Sequence, residues 1–137
     1  MSRHGYCDDF DDNLVLGRWR GQVASAIRGK RGQAFLREMR DALDAMPEKR
    51  LITDQLVTEE GDVCALGAVA LARKCDVSKL DPEEPEVVAA TFGIAEVLVR
   101  EIVYENDESF CYRYNDADAP EKRWQYMRNW VEKRIKQ

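Results

Sequence analysis

The sequence predicts a mainly α-helical protein: a single helical domain with one small β-hairpin and a helix-turn-helix-like helix pair. Three observations predict this class. Apolar residues recur every three or four positions along most of the 137-residue chain. The helical period fades only around residues 51–65. A chain that is 45% hydrophobic and 34% charged fits one globular domain with its own core. We expect residues 1–12 to form a mobile acidic arm and residues 13–137 to form the domain.

The first two predicted helices carry regular apolar stripes. Asn13 is a favourable N-cap residue for the first helix, and Gly17 and Gly21 are expected to let a neighbouring backbone approach. The GKRG segment at 29–32 is predicted to be a loop that ends this helix. A strongly amphipathic second helix follows and stops before Pro47. The stripes comprise Val15, Trp19, Val23 and Ile27 in the first helix, and Phe35, Leu36, Met39, Ala42, Leu43 and Met46 in the second.

The segment from Leu51 to Ala65 is predicted to be the β-hairpin. The runs LITDQLV and DVCA are short and no longer follow the helical period, and the glycine-containing TEEG between them is typical of a turn. The run CALGAVALARK then returns to a helical composition. Arg73 and Lys74 lie near its carboxyl end, where positive charges interact favourably with the helix dipole.

Three further helices are predicted in the second half of the chain. Asp81 is expected to begin the first of them through a capping box with Glu84. Gly93 breaks that helix, and residues 94–106 form the next. Asp118 begins the last helix, which carries a tryptophan-containing apolar face. The predicted core comprises Trp19, Phe35, Leu36, Met39, Leu43, Leu66, Val69, Phe92, Val99, Ile102, Trp124 and Val131.

The stretch EVVAATFGIAEVLVREI at 86–102 has the spacing of a DNA-reading helix-turn-helix unit, with Gly93 at the turn. A recognition helix needs lysine and arginine to neutralise phosphates. Here Arg100 is surrounded by carboxylates, including Glu96 and Glu101 at positions expected to face outward. Such a surface repels a polyanion. We therefore interpret the stretch as a structural helix pair and not as a DNA reader.

The net charge of −5 is distributed unevenly along the chain. Residues 13–50 hold nine bases against four acids, and residues 119–137 hold six against two. Residues 51–118 hold five bases against sixteen acids, and residues 1–12 hold one against four. The protein therefore has basic ends and an acidic middle, so two oppositely charged surfaces are available to partners.

Each surface yields a candidate binding site. The acidic middle predicts a protein-binding face formed by Glu83, Glu84, Glu86, Glu96, Glu101, Glu105, Asp107 and Glu108. The basic half predicts a polyanion-binding site for nucleic acid or a nucleotide, formed by Arg18, Arg20, Arg28, Lys30 and Arg31. In that site, Trp19 could stack on bases. The plain alternatives are acids that only keep the protein in solution, and a solvated basic helix face with Trp19 in the core. For the basic site, the sequence favours the plain alternative.

No catalytic grouping is found in the sequence. His4 is the only histidine and lies in the predicted arm, so a histidine-based triad cannot be held rigidly there. Phosphate-binding glycine loops are missing, and Cys7, Cys64, Cys75 and Cys111 are spaced too irregularly for a zinc site. We expect a non-enzyme without cofactor or metal. The absence of an apolar leader or membrane span favours the cytoplasm, where the cysteines would be reduced and Cys64 a small core residue.

A family resemblance adds a biological setting. The run RWRGQVASAIRGKRGQAFLREM, followed by ALDAMPEKRLI and GDVCALGAVALAR, resembles small uncharacterised proteins encoded by tailed bacteriophages and prophages. The similarity runs on through FGIAEVLVREIVYENDE to the last helix. It implies a phage accessory protein in the host bacterial cytoplasm, and it carries over no catalytic or binding residues.

The function predicted from the sequence is therefore binding of a host bacterial protein, with inhibition of a host or anti-phage defence process as the outcome. The alternative is binding of nucleic acid or a nucleotide through the basic first helix and the GKRG segment. The sequence leaves open whether the protein self-associates through its glycine-bearing first helix.

Overall fold

The computed structural model describes Arg3, residues 13–108 and residues 117–136. The predicted helical class is confirmed: six helices lie in the described residues, and 65% of those residues are helical. None of the described helices is long and apolar enough to cross a membrane. The helices are α1 (Asn13–Arg28), α2 (Lys30–Ala45), α3 (Ala65–Arg73), α4 (Pro85–Phe92), α5 (Glu96–Asp107) and α6 (Ala119–Arg134).

Two helices, α2 and α5, organise the core. Helix α2 packs against α1, α3 and α6, while α5 contacts α1, α3, α4 and α6. Ten of the twelve predicted core residues are buried. The two exceptions are tryptophans: Trp19 is half-buried, and Trp124 packs partly buried against the core while its indole N–H donates to the Leu43 carbonyl at 3.2 Å.

The β-hairpin prediction is wrong, although its turn forms. Among the described residues there is no strand, and pairing is limited to one antiparallel bridge between Val57 and Val63. Gly61 takes the turn with φ +89°.

The ladder ends at this bridge because α3 begins at Ala65, and the Ala68 N–H takes the Cys64 carbonyl that the Leu56 N–H would need. The start of the first predicted strand is instead held by distant side chains. Arg123 donates to the Leu51 carbonyl at 3.0 Å, and a side-chain amide of α5 does the same for the next carbonyl along the chain.

The two predicted close-approach glycines do not have that role. A Cβ added at Gly17 or Gly21 would meet nothing within 4 Å. The close approaches occur at Gly32, where a Cβ would lie 1.9 Å from the Ala26 carbonyl oxygen, and at Gly67, where it would lie 1.9 Å from the carbonyl oxygen of Leu56. Glycine is therefore required where α2 meets α1. It is also required where α3 meets the loop closed by the Val57–Val63 bridge, which we call the bridged loop.

The predicted start of α4 is corrected. The segment at 81–84 is a turn in which the Asp81 carboxylate accepts a hydrogen bond from the Glu83 N–H at 2.9 Å, and α4 begins only at Pro85. Proline suits the first helical position because its missing N–H has no partner there. Gly93 ends α4 with φ +74°, and α5 starts at Glu96. The predicted helix pair with Gly93 at its turn is thus present.

Arg3 does not behave as part of a free arm. It is buried, and its guanidinium donates two hydrogen bonds to the Asp107 carboxylate at the end of α5. A third contact, at 3.7 Å, reaches the sulfur of Cys64, which is buried as predicted. The remaining residues of the predicted arm lie outside the described part of the chain.

Candidate polyanion-binding surface

The predicted acidic face is not a single exposed face. Glu101, Glu105 and Asp107 are buried, so the expectation that they point to solvent is wrong. Their helix, α5, is surrounded by four other helices, and this leaves it little free surface. A buried carboxylate is stable only when it is paired or hydrogen-bonded.

Each buried acid has such a partner. The two oxygens of Glu101 accept from the guanidinium of Arg20 at 3.0 and 3.3 Å. The Tyr126 hydroxyl donates to Glu105. Asp107 pairs with Arg3, as described above. These acids therefore hold α5 to its neighbours and do not form a surface for another protein.

The other predicted acids remain accessible to different degrees. Glu83, Glu84 and Glu86 are exposed around the start of α4. Glu96 is half-buried and pairs with Arg100 at 3.0 Å, one helical turn away. Glu108, which follows α5, is also half-buried. The exposed part of the predicted face is thus reduced to the three acids near α4.

The basic segments at the two ends of the chain, in contrast, come together. Only Gly29 separates α1 from α2, so the predicted GKRG loop is corrected: Lys30 and Arg31 form the first turn of α2. The two helices meet in a tight corner because Gly32 has no side chain to hold the backbones apart. The corner places Arg28, the last residue of α1, one residue from the start of α2.

Gln33 joins this corner to the end of α6. Its buried side-chain amide donates to the Ile27 carbonyl at 2.7 Å and to the Arg134 carbonyl at 2.9 Å. Its side-chain oxygen accepts from the Lys136 backbone N–H at 2.8 Å. The Lys136 ammonium then donates to the Arg28 carbonyl at 2.9 Å. One glutamine thereby fixes the ends of three helices against one another.

Six cations lie on the segments that Gln33 joins. On α2, Arg37 donates to the Lys136 carbonyl at 3.1 Å. On α6, the Arg134 guanidinium stacks on the Trp130 ring with 4.5 Å to its centroid. We call this cluster the basic elbow; it comprises Arg28, Lys30, Arg31, Arg37, Arg134 and Lys136. None of the six forms an ion pair with a carboxylate of the described residues.

The acids of α2 pair with cations outside the elbow and so do not neutralise it. Glu38 accepts two hydrogen bonds from Arg73 at 2.6 and 2.7 Å. Asp44 pairs with Arg128 at 2.7 Å, and this hydrogen bond lowers the pKa of the carboxyl below its usual value. The positive charge of the elbow is therefore left for a ligand.

The helix dipole of α2 adds to this positive charge. Lys30 and Arg31 occupy the first turn of α2, which contains no acidic residue. The amino end of a helix carries a partial positive charge, so cations there are disfavoured by a few tenths of a kcal/mol each. The same end favours a bound anion. Placing Lys30 and Arg31 at this helix end lowers the stability of the free protein. A bound anion would offset that cost.

The five predicted polyanion-binding residues do not form one site. Arg28, Lys30 and Arg31 lie in the basic elbow. Arg18 is exposed but ten residues before Arg28 on the same helix, which corresponds to about 15 Å. Arg20 is engaged by Glu101. Trp19 has the Arg100 guanidinium 5.5 Å from its ring centroid, so its half-buried ring is not a free stacking surface.

Three residues of the elbow were not predicted from the sequence: Arg37, Arg134 and Lys136. Their positive segments were visible in the charge distribution. The hydrogen bonds from Gln33 to Arg134 and Lys136, about a hundred residues away, cannot be read from the sequence. In the described part of the chain, no group of three or more metal-ligating side chains occurs.

Comparison with known proteins identifies no relative: no family model, curated protein or solved structure matches the chain.

Proposed function

We propose that the protein binds nucleic acid through the phosphate backbone at the basic elbow. The observation that carries this proposal is a set of six cations without carboxylate partners among the described residues. Five lie in α1, α2 and α6 and one, Lys136, follows α6, on segments that the buried Gln33 joins. One guanidinium group can donate hydrogen bonds to two oxygens of a phosphate, and a lysine ammonium adds a point charge. The sequence alone favoured host-protein binding. The burial of three of the eight acids and the assembly of the elbow support the alternative instead.

The expected binding is weak and independent of sequence. Contacts to phosphates carry no sequence information. The net charge of −5 opposes association with a polyanion. Non-specific complexes of this kind have dissociation constants of roughly 10⁻⁴ to 10⁻⁶ M at physiological salt. The affinity should fall steeply as salt increases, because bound phosphates release their counterions.

The test compares two variants with equal net charge. Fluorescence anisotropy would measure binding of labelled single-stranded DNA, duplex DNA and RNA over a range of salt concentrations. Lys30→Ala with Arg31→Ala should weaken binding about tenfold or more for every sequence, and lower the salt slope by about two. The control, Arg50→Ala with Lys79→Ala, removes two exposed cations outside the elbow. Equal losses in both variants, or no binding by the parent protein, would reject the proposal.

A second candidate is binding of a host bacterial protein through the acids near α4. It is favoured by the exposure of Glu83, Glu84 and Glu86 beside Val87, an apolar residue that is 39% exposed. The resemblance to phage proteins supplies the setting, with inhibition of a host or defence process as the outcome. A pull-down from host lysate, with and without nuclease, separates the two candidates. A partner retained by the parent after nuclease, but lost with Glu83→Lys and Glu86→Lys, would support this candidate.

A further inference from the structure

Leu71 is an unusual residue of α3. Residues 65–70 of this helix are all buried, whereas its last three residues, 71–73, are exposed. Leu71 is the first of these three and has 52% of its surface exposed, the highest fraction among the large exposed apolar residues of the described chain. Isolated exposed leucines are common and need no explanation. The surroundings of Leu71 distinguish it from such cases.

Two hollows meet at Leu71. The larger has a volume of about 460 Å³ and the smaller about 240 Å³, and Leu71 lines both. Their apolar walls come from both sides of the helix: Val57, Cys75 and Val77 in the larger, and Met46 and Val63 in the smaller. The result is a partly apolar groove interrupted by one protruding leucine, which we call the Leu71 groove.

The walls of this groove are held in place by the bridged loop. Val57 and Val63 pair across the bridge, so one residue of the pair faces each hollow. The Cys64 N–H donates to the Leu56 carbonyl at 3.2 Å, and Gly67 allows that carbonyl to lie against α3. The groove therefore exists before any partner binds, which lowers the entropic cost of binding.

The rim of the groove is acidic. Glu59 and Asp76 line the larger hollow, and Glu48 and Asp62 line the smaller one. None of these four acids forms an ion pair with a cation of the described chain. Arg50 is the one cation that lines either hollow. The Ser78 backbone N–H donates to Asp76 at 2.9 Å and lowers the pKa of its carboxyl, which keeps this acid ionised.

We propose that the Leu71 groove binds a basic amphipathic segment of a partner protein. Large apolar side chains of that segment would pack against Leu71 and fill the hollows on either side of it. Its lysine or arginine residues would face the four carboxylates of the rim. The charge of the groove selects this partner over a neutral or acidic one, since complementary potential discriminates between partners. As a helix, the segment would place its apolar face in the groove. This site is separate from the basic elbow and does not depend on nucleic-acid binding.

The test uses designed probes. The first is a labelled helical peptide with leucines at positions i, i+4 and i+7 and lysines elsewhere; the second has the same leucines with glutamates. We expect the lysine peptide to bind, and Leu71→Ser to weaken it about tenfold or more, because a leucine removed from water contributes this much. Leu16→Ser, a change at another exposed leucine, should have little effect. Both positions are exposed, so both variants should fold.

The charge requirement is tested by reversing two acids at a time. Glu59→Lys with Asp76→Lys should abolish binding of the lysine peptide, while Glu83→Lys with Glu86→Lys, the same change near α4, should weaken it by no more than about twofold. Equal binding of both peptides, equal loss in both pairs of variants, or no binding by the parent would overturn the proposal. Self-association lost specifically with Leu71→Ser would identify a second copy of the chain as the occupant and would overturn it as well. Nucleic-acid binding by Leu71→Ser should equal that of the parent, so this test and the elbow test fail independently.

Discussion

Arg3 and Asp107, 104 positions apart in sequence, form a buried ion pair with hydrogen bonds of 2.6 and 2.7 Å. Asn106 extends the pair into the fold, because its side chain donates to Asp107 and to the Ile52 carbonyl and accepts from the Ala65 N–H at the start of α3. The chain near its start, the bridged loop, α3 and the end of α5 are therefore connected by one polar network.

The first prediction concerns this network. Asp107→Ala should lower the free energy of unfolding by about 3–5 kcal/mol, because it leaves a buried guanidinium without its carboxylate. Urea denaturation would measure the change. Asp41→Ala, which removes an exposed acid paired with its neighbour Arg40, should cost less than about 1 kcal/mol. Similar small losses in both variants would show that the buried pair does not form in solution.

The second prediction compares two glycines. Gly32→Ala should destabilise the protein by about 1–3 kcal/mol, since its Cβ would lie 1.9 Å from a backbone oxygen of α1. Gly21→Ala, in the middle of α1 with open space around it, should stabilise by about 0.5–1 kcal/mol through helix propensity. Thermal unfolding of the two variants would give opposite shifts. If Gly32→Ala were neutral, the tight corner between α1 and α2 would be wrong.

The third prediction concerns acid stability. The hydrogen bond from Arg128 lowers the pKa of Asp44 in the folded protein below its value of 3.8. The stability that this pair contributes is therefore complete above the unfolded-state pKa, and it is lost as pH falls through the lower folded-state pKa. Asp44→Asn should reduce stability slightly at pH 6, and the difference from the parent should vanish near pH 2. The effect is small because Asp44 is 47% exposed.

Asp41→Asn provides the matched control for that experiment, because it removes the same charge from the next turn of α2. A pH-independent difference between Asp44→Asn and the parent would contradict the assignment to the Arg128 pair. Unfolding followed by circular dichroism in urea at several pH values would give both curves.

The fourth prediction concerns the helix pair formed by α4 and α5. Arg100 is held by Glu96 and by the ring of Trp19, and neighbouring acids repel phosphates. Arg100→Ala should change nucleic-acid affinity by no more than about twofold, with no change in sequence preference. A selective loss of affinity for particular sequences in this variant would restore the DNA-reading interpretation.

Local patterns predicted much of the fold, while long-range contacts determined the candidate sites. The stripes of α2 and the turn at Gly93 follow from residue spacing, which is a local property. The hairpin failed because α3 begins at Ala65, directly after the bridge, and its first turn takes the Cys64 carbonyl that a strand partner needs. The acids of α5 were assigned to solvent because spacing alone does not show that four helices surround α5. The basic elbow was predicted only in part, since its α6 residues reach it through Gln33.

The dependence of the elbow on Gln33 has a consequence for biosynthesis. Helices α1 and α2 leave the ribosome about ninety residues before α6 is complete, so a nascent chain carries Arg28, Lys30 and Arg31 without Arg134 and Lys136. The incomplete surface has fewer cations and lacks the hydrogen bonds from Gln33 to Arg134 and Lys136. Phosphate binding would thus be acquired late, when α6 docks, and contact with ribosomal RNA during translation would be correspondingly weak.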